Sequence, residues 1–123
     1  MERIETEYGH KEIGPYGTTW YYNNKNKLHN PNGPAVEGTD GLKAYWINGV
    51  RHRTDGPAVL NSDGTKEYYL NGKLHRTDGP AIEYPGGAKA FCVNGLMHNT
   101  KGPAVIKDNA ELHFIKGKYV WKE

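Results

Sequence analysis

A tripeptide, Gly-Pro-Ala, recurs every 23 residues and constrains the fold of this chain more than any other feature. It occurs at residues 33–35, 56–58, 79–81 and 102–104, and Val or Ile follows each copy. Histidine keeps the same 23-residue step, at His29, His52, His75 and His98. A fixed period of this length is typical of architectures in which one small unit stacks on the next. The sequence therefore predicts a tandem array of like units.

Each unit is predicted to be a β-hairpin. Short β-branched segments alternate with aromatic segments, and turn residues such as Ser62-Asp63-Gly64 lie between them. Asn-Gly pairs at 48–49, 71–72 and 94–95 mark further turns, because Asn and Gly tolerate positive φ. No window combines a helical period with helix caps. We predict an all-β fold in which tandem 23-residue antiparallel hairpins form one elongated, twisted sheet of about nine or ten strands.

The repeat also sets the domain organisation. We predict a single repeat domain over 1–123, with a degenerate N-terminal cap at 1–20, about four repeats over 21–117 and a C-terminal cap at 118–123. The last repeat is one residue shorter near Asp108-Asn109, which predicts a tighter turn there. A chain of 123 residues suffices for one ordinary domain and is too short for two.

Three features bear on where the protein acts. No stretch approaches the length of apolar sequence that a transmembrane helix needs, and the N-terminus lacks the apolar core of a signal peptide. The single cysteine, Cys92, allows no internal disulfide, which is typical of a reducing compartment. We expect a cytoplasmic protein, in the host cytoplasm if its source is a virus.

Alternation along the aromatic strands predicts two different sheet faces. One face is predicted to carry Tyr22, Tyr45, Tyr68 and Phe91, and the other to carry Trp46, Tyr69 and Cys92. The chain is too short to fold back over both faces, and an exposed apolar face is typical of a partner site. Trp46 and Tyr69 are therefore candidate protein-interface residues. A homodimer through them is one hypothesis, and a curved sheet that covers this face itself is the alternative.

The strongest polar motif is the pentapeptide His-Arg-Thr-Asp-Gly, which occurs at residues 52–56 and 75–79. Its candidate ligand-binding residues are His52, Arg53, Asp55, His75, Arg76 and Asp78. Arginine suits bidentate recognition of phosphate or carboxylate, which favours an anionic nucleotide or another small phosphorylated ligand. The alternative is structural: His and Asp bond the loop backbone and each Arg pairs with a neighbouring Asp. The regular recurrence of the histidines favours this second interpretation.

The sequence favours binding over catalysis. Equivalent histidines are separated by two strands, or about 9–10 Å. Because each ligand nitrogen must lie about 2.1 Å from a zinc ion, histidines of neighbouring units are too far apart to bind the same ion. We therefore expect no metal and no cofactor. Cys92 occupies the column of Trp46 and Tyr69 and is predicted to be a small buried residue, so an enzyme that uses His or Cys92 is the least favoured alternative. With 16 basic and 14 acidic residues, a nucleic-acid partner is not expected.

The repeat unit resembles the variant form of the MORN repeat. The matching segments are 45–49 (Tyr-Trp-Ile-Asn-Gly), 68–72 (Tyr-Tyr-Leu-Asn-Gly) and 91–95 (Phe-Cys-Val-Asn-Gly), and the His-Arg-Thr-Asp-Gly-Pro-Ala extension is similar to that of bacterial, phage and large-virus proteins. The resemblance covers about residues 20–117. It implies a hairpin array that engages a protein partner, homodimerises or attaches near membranes. It also implies an antitoxin role and, by analogy with small phage proteins, that of a host-directed inhibitor or nucleotide sponge.

Overall fold

The computed structural model describes residues 1–120, which contain nineteen short β-strands and no helix. The strands are β1 (Glu2–Thr6), β2 (Gly9–Ile13), β3 (Thr19–Asn23), β4 (Val36–Glu37), β5 (Lys43–Ala44), β6 (Trp46–Ile47), β7 (Val50–Arg51), β8 (Val59–Leu60), β9 (Lys66–Glu67), β10 (Tyr69–Leu70), β11 (Lys73–Leu74), β12 (Ile82–Glu83), β13 (Lys89–Ala90), β14 (Cys92–Val93), β15 (Leu96–Met97), β16 (Val105–Lys107), β17 (Ala110–Leu112), β18 (Phe114–Ile115) and β19 (Lys118–Tyr119). The prediction of an all-β fold is confirmed. Part of the predicted C-terminal cap, 118–123, lies outside the described residues.

Eleven of these strands form one antiparallel sheet in the order β1-β2-β3-β4-β5-β8-β9-β12-β13-β16-β17. The other eight pair separately as β6-β7, β10-β11, β14-β15 and β18-β19. The expectation of a single sheet is therefore corrected. The division occurs at one residue in each unit, which we call the junction residue. Tyr45 lies between β5 and β6, where its amide donates to the Ala58 carbonyl (2.7 Å) and its carbonyl accepts from the His52 amide (3.1 Å). Because these partners lie in different segments, the main ladder ends at the tyrosine.

The most deeply buried residues of the core form a row of alanines. Ala35, Ala58, Ala81 and Ala104 are all 0% exposed. Ala58 is representative, since its amide donates to the Glu67 carbonyl at 2.8 Å while its carbonyl accepts from Tyr45. No large side chain in residues 1–120 is fully buried. Stability therefore comes from many small, similar contributions, each methyl adding about 0.8 kcal/mol on burial.

The turns follow the sequence pattern. Asn48, Asn71 and Asn94 have φ of 48°, 51° and 51°, as the Asn-Gly pairs predicted. Asp108 and Asn109 also have positive φ, and Lys107 pairs directly with Ala110 across them. The deletion in the last repeat thus produces a two-residue hairpin turn, as expected.

The first unit departs from the predicted register. Tyr21, not Tyr22, occupies the junction: its amide donates to the Ala35 carbonyl (2.7 Å), and its carbonyl accepts from the His29 amide (2.9 Å). The stretch from this junction tyrosine to the histidine is one residue longer than in the later units. Since a slip of one residue turns each side chain to the other face, Tyr22 lies on the opposite face from that predicted and stacks on His10 at 4.9 Å.

Residues 1–120 include no helix of the length and apolar character that spanning a membrane requires.

Candidate functional site

The strand register divides the side chains between two faces. The groove face carries one row of the main sheet and the matching side of the short hairpins: Val36, Ala44, Val59, Glu67, Ile82, Ala90, Val105 and Leu112, with Trp46, Tyr69, Cys92 and Phe114. The loop face carries Tyr45, Tyr68, Phe91 and the four histidine loops at 29–33, 52–56, 75–79 and 98–102. The two sets of predicted site residues therefore lie on opposite faces.

On the loop face, each repeated histidine links its loop to the turn of the next unit. The Nδ1 atoms of His29, His52, His75 and His98 accept hydrogen bonds from the backbone amides of Asn48, Asn71, Asn94 and Lys116 at 2.9, 2.9, 3.0 and 2.9 Å. Nδ1 must be unprotonated to accept, so only Nε2 of each ring is left to meet a ligand. The histidine column therefore joins neighbouring units.

The two loop arginines direct their donors into their own loops. Arg53 Nε donates to Asp55 at 3.0 Å and Nη1 to the Pro57 carbonyl at 3.1 Å, while the guanidinium carbon lies 3.9 Å from the Tyr45 ring centroid. Arg76 makes the same three contacts, with Asp78, the Pro80 carbonyl and the Tyr68 ring, at 3.1, 3.1 and 4.0 Å. The geometry matches the part of the structural interpretation in which each Arg pairs with a neighbouring Asp. The carboxylates of Asp55 and Asp78 contact these arginines, whereas the interpretation had them bond the loop backbone.

Arg76 has a further partner that Arg53 lacks. Its Nη1 donates to Glu83 Oε1 at 2.6 Å, whereas Leu60 takes the position of Glu83 one repeat earlier. Burial works to lower the pKa of Arg76, but the hydrogen bonds to Glu83 and Asp78 outweigh it and raise the pKa above its ordinary value. Arg76 is therefore held more firmly than Arg53.

The outer loops show which contact is common to the position that Arg53 and Arg76 occupy. Asn30 and Asn99 replace the arginines, and their Nδ2 atoms donate to the carbonyls of Pro34 and Pro103 at 3.0 and 2.9 Å. The donor to the proline carbonyl is common to all four loops, whereas the positive charge is not.

Between the loops lie two open grooves of about 430 and 670 Å³. Tyr45 and residues 52–55 contribute to the lining of the first, and Tyr68 and residues 75–78 to that of the second.

The groove face contains an apolar groove of about 600 Å³. Its lining includes Ile82, Ala90 and Val105 from the main sheet and Leu74, Cys92 and Met97 from the short hairpins. Cys92 is 4% exposed, as predicted, and burial raises the pKa of its thiol. The sequence predicted Trp46 and Tyr69 as interface residues on this face but did not predict the groove. Its signal was the repeat column that contains Leu74 and Met97.

One polar cluster interrupts the groove face. The guanidinium of Arg51 lies 5.2 Å from the ring centroids of both Trp46 and Tyr69. Its Nη1 donates to the Tyr69 hydroxyl at 3.3 Å, and this hydroxyl donates to Glu67 Oε1 at 3.0 Å. Burial, together with the hydrogen bond and charge of Glu67, raises the pKa of Tyr69. We call Trp46, Arg51, Glu67 and Tyr69 the central cluster.

The central cluster breaks two apolar columns at the same place. Arg51 stands where neighbouring units have Leu28, Leu74 and Met97, and Glu67 stands where they have Ala44, Ala90 and Leu112. Two of its buried N–H groups, Trp46 Nε1 and Arg51 Nε, have no acceptor among the described residues. A buried donor without an acceptor costs about 1–3 kcal/mol. The cluster therefore carries an energetic cost on a face that is otherwise mainly apolar.

Within residues 1–120, no three His, Cys, Asp or Glu side chains come together in a way that could hold a metal ion. Comparisons with models of protein families, with curated protein sequences and with solved structures found no match to this chain.

Proposed function

We propose that the protein is a non-enzymatic interaction module that binds another protein through its groove face. One observation carries the proposal: large apolar side chains are exposed on this face around the 600 Å³ groove. The exposed fractions are 46% for Tyr84, 41% for Met97, 39% for Leu112 and 54% for Tyr119. Apolar side chains grouped on one face of a small protein usually mark a binding surface.

The loop face offers less for a ligand. Arg53 and Arg76 would have to release the Asp, the proline carbonyl and the aromatic ring that they already contact before they could clamp a phosphate. The geometry thus favours the protein partner over the phosphorylated or nucleotide ligand that the motif alone allowed. Thiol chemistry is also disfavoured, because Cys92 is buried and its raised pKa keeps the thiol protonated.

The resemblance to MORN-variant repeats is consistent with this proposal, because it too implies a protein partner. An antitoxin or a phage-type host-directed inhibitor would act through such a surface. The cytoplasmic location expected from the sequence belongs to the same proposal.

Two adjacent residues provide a matched test. Met97 faces the groove, whereas the side chain of Leu96, which is 49% exposed, lies on the other side of β15. Immobilised wild type, Met97→Asp and Leu96→Asp are compared for the proteins that each retains from an extract of the source cells. We expect Met97→Asp to lose proteins that wild type and Leu96→Asp both keep. Identical retention by all three proteins would contradict binding through the groove face.

A further inference from the structure

We infer that the outer edge of β17 binds an extended segment of another protein as an added β-strand, and that this segment has a small, then a β-branched, then a basic residue. The site is separate from the groove face, so the inference does not depend on the proposed function. Three observations carry it: open backbone hydrogen-bonding positions along β17, an exposed apolar side chain beside them, and a charge opposite to that of the equivalent internal strands.

β17 (Ala110–Leu112) lies at one end of the main sheet. It pairs with β16 on its inner side, and within residues 1–120 no strand pairs with its outer side. The equivalent strands β5, β9 and β13 are paired on both sides, and their outer neighbours are β8, β12 and β16. An open strand edge is a template for a strand of another chain, in which main-chain hydrogen bonds give affinity and side-chain pairs give specificity.

The junction residues show which backbone groups are open. In the preceding units the junction amide donates to an alanine carbonyl of the next unit, in the pairs Tyr45–Ala58, Tyr68–Ala81 and Phe91–Ala104 (2.7, 2.7 and 2.6 Å). His113 is the junction residue of the last unit, since its carbonyl accepts from the Val120 amide at 2.7 Å, but its own amide has no acceptor in the described part of the chain. Because backbone groups alternate in direction along a strand, the amide and carbonyl of Glu111 point to the same open edge.

Leu112 provides the apolar contact at this edge. It occupies the column of Ala44 and Ala90, which lie opposite Val59 and Val105 of the next unit and are each only 8% exposed. Leu112 itself is 39% exposed. A β-branched residue on an added strand would lie opposite Leu112 in the same register and cover it.

The internal strands also define the residue that precedes the β-branched one. In every internal example this residue is an alanine, and Ala58, Ala81 and Ala104 are all 0% exposed. Its carbonyl is the acceptor for the junction amide. A small residue at this position would therefore bring the added strand close enough to bond the His113 amide.

Glu111 sets the charge of the third residue. The equivalent strands carry Lys43, Lys66 and Lys89 at this position, and Lys66 lies opposite Glu83 of the next unit. Glu111 reverses the sign, so the complementary residue opposite it is Lys or Arg. The same charge disfavours a second copy of this chain, because full antiparallel overlap of two β17 strands would place Glu111 opposite its own counterpart.

NMR titration of the full chain with two short peptides tests the inference. Both peptides copy residues 102–107 (Gly-Pro-Ala-Val-Ile-Lys), one with Ile106→Lys and the other with Ile106→Glu, and we call them the Lys peptide and the Glu peptide. In the wild type, both should shift the amide resonances of Glu111 and His113, and the Lys peptide should bind about threefold more tightly. Glu111→Lys should reverse this preference. Glu2→Lys, a charge reversal on β1 at the other end of the sheet, is the matched control and should keep it.

Glu111→Pro tests the added hydrogen-bond ladder. Because the Glu111 amide points away from β16, proline removes an outward donor without breaking the hairpin, and neither peptide should bind. Unchanged amide resonances at 111 and 113 with both peptides, or the same preference in wild type and Glu111→Lys, would overturn the inference. Should Glu111→Pro unfold by circular dichroism, the reversed preference of Glu111→Lys decides by itself.

Two further measurements separate this site from other possibilities. A wild-type dimer in sedimentation that Glu111→Pro dissociates would assign the edge to a second copy and end the inference. Met97→Asp, on the groove face, should bind the Lys peptide as the wild type does, and loss of binding would place the peptide in the groove instead. Identical protein retention by wild type, Met97→Asp and Leu96→Asp, with peptide binding at β17 intact, would end the proposed function alone.

Discussion

The loop face allows a quantitative prediction of stability, because asparagine replaces Arg76 at the equivalent position of the two outer loops. Replacing Arg76 by alanine removes a hydrogen bond to the Pro80 carbonyl, the contact with the Tyr68 ring, and charge-assisted bonds to Asp78 and Glu83. Replacing it by asparagine should retain the first of these, since Asn30 and Asn99 donate to the equivalent carbonyls.

The magnitudes follow from the contacts. The carbonyl bond contributes about 1 kcal/mol, the ring contact about 0.5–1 kcal/mol, and the two partly exposed carboxylate contacts about 0.5 kcal/mol each. Arg76→Ala should therefore lower the free energy of unfolding by about 2.5–3 kcal/mol. In Arg76→Asn the retained carbonyl bond reduces the loss to about 1.5–2 kcal/mol.

Thermal unfolding followed by circular dichroism measures this difference. For a chain of this size, 1 kcal/mol corresponds to about 4 °C in Tm, so the asparagine variant should melt about 4 °C above the alanine variant. Arg53→Ala is the matched comparison. It should cost about 0.5 kcal/mol less than Arg76→Ala, because Leu60 replaces Glu83 beside it. Equal melting temperatures for Arg76→Ala and Arg76→Asn would refute the view that the shared requirement is a donor to the proline carbonyl.

Three further predictions concern other parts of the fold. Gly9→Ala should lower the free energy of unfolding in denaturant by about 3 kcal/mol or more, because the new Cβ would lie 2.2 Å from the Tyr22 carbonyl oxygen. Gly86→Ala is the control: its Cβ would meet no atom within 4 Å, so the free energy of unfolding should change little. Cys92 should react with iodoacetamide much more slowly in the folded protein than in denaturant, because burial raises the pKa of its thiol; equal rates would show that it is accessible. Hydrogen bonds from Thr65 lower the pKa of Asp63. The ionised Asp63 therefore stabilises the folded protein above the ordinary Asp pKa, and this stabilisation is lost as the pH falls through the pKa of the folded state. In Asp63→Asn, the free energy of unfolding should fall less steeply over this acidic range.

Much of the architecture could be predicted because it depends on local chemistry. The Asn-Gly pairs predicted the positive φ of Asn48, Asn71 and Asn94, since few other residues tolerate that conformation. Strand alternation placed Trp46 and Tyr69 on one face and Tyr45 and Tyr68 on the other. The resemblance to MORN-variant repeats remains a prediction.

The errors arose where a choice depended on neighbouring units. Tyr22 was assigned to the wrong face because the 23-residue step aligns it with Tyr45, and only the folded first unit shows that Tyr21 is the junction residue. The ligand interpretation of Arg53 and Arg76 stays a prediction, and only the folded loops show the internal contacts that compete with it. Arg51 and Glu67 were missed because they are 16 residues apart in sequence, and only the stacking of hairpins brings them to the same hydroxyl group.

By itself, the sequence determined the 23-residue period, the turn positions and the alternation of side chains, because each depends on the conformational preferences of a few adjacent residues. Only the tertiary structure decided where the main sheet divides from the short hairpins, which partner each loop side chain takes, and that two departures from the apolar pattern meet in one cluster. These outcomes depend on hydrogen bonds and contacts between units, whose geometry exists only once one hairpin has packed against the next.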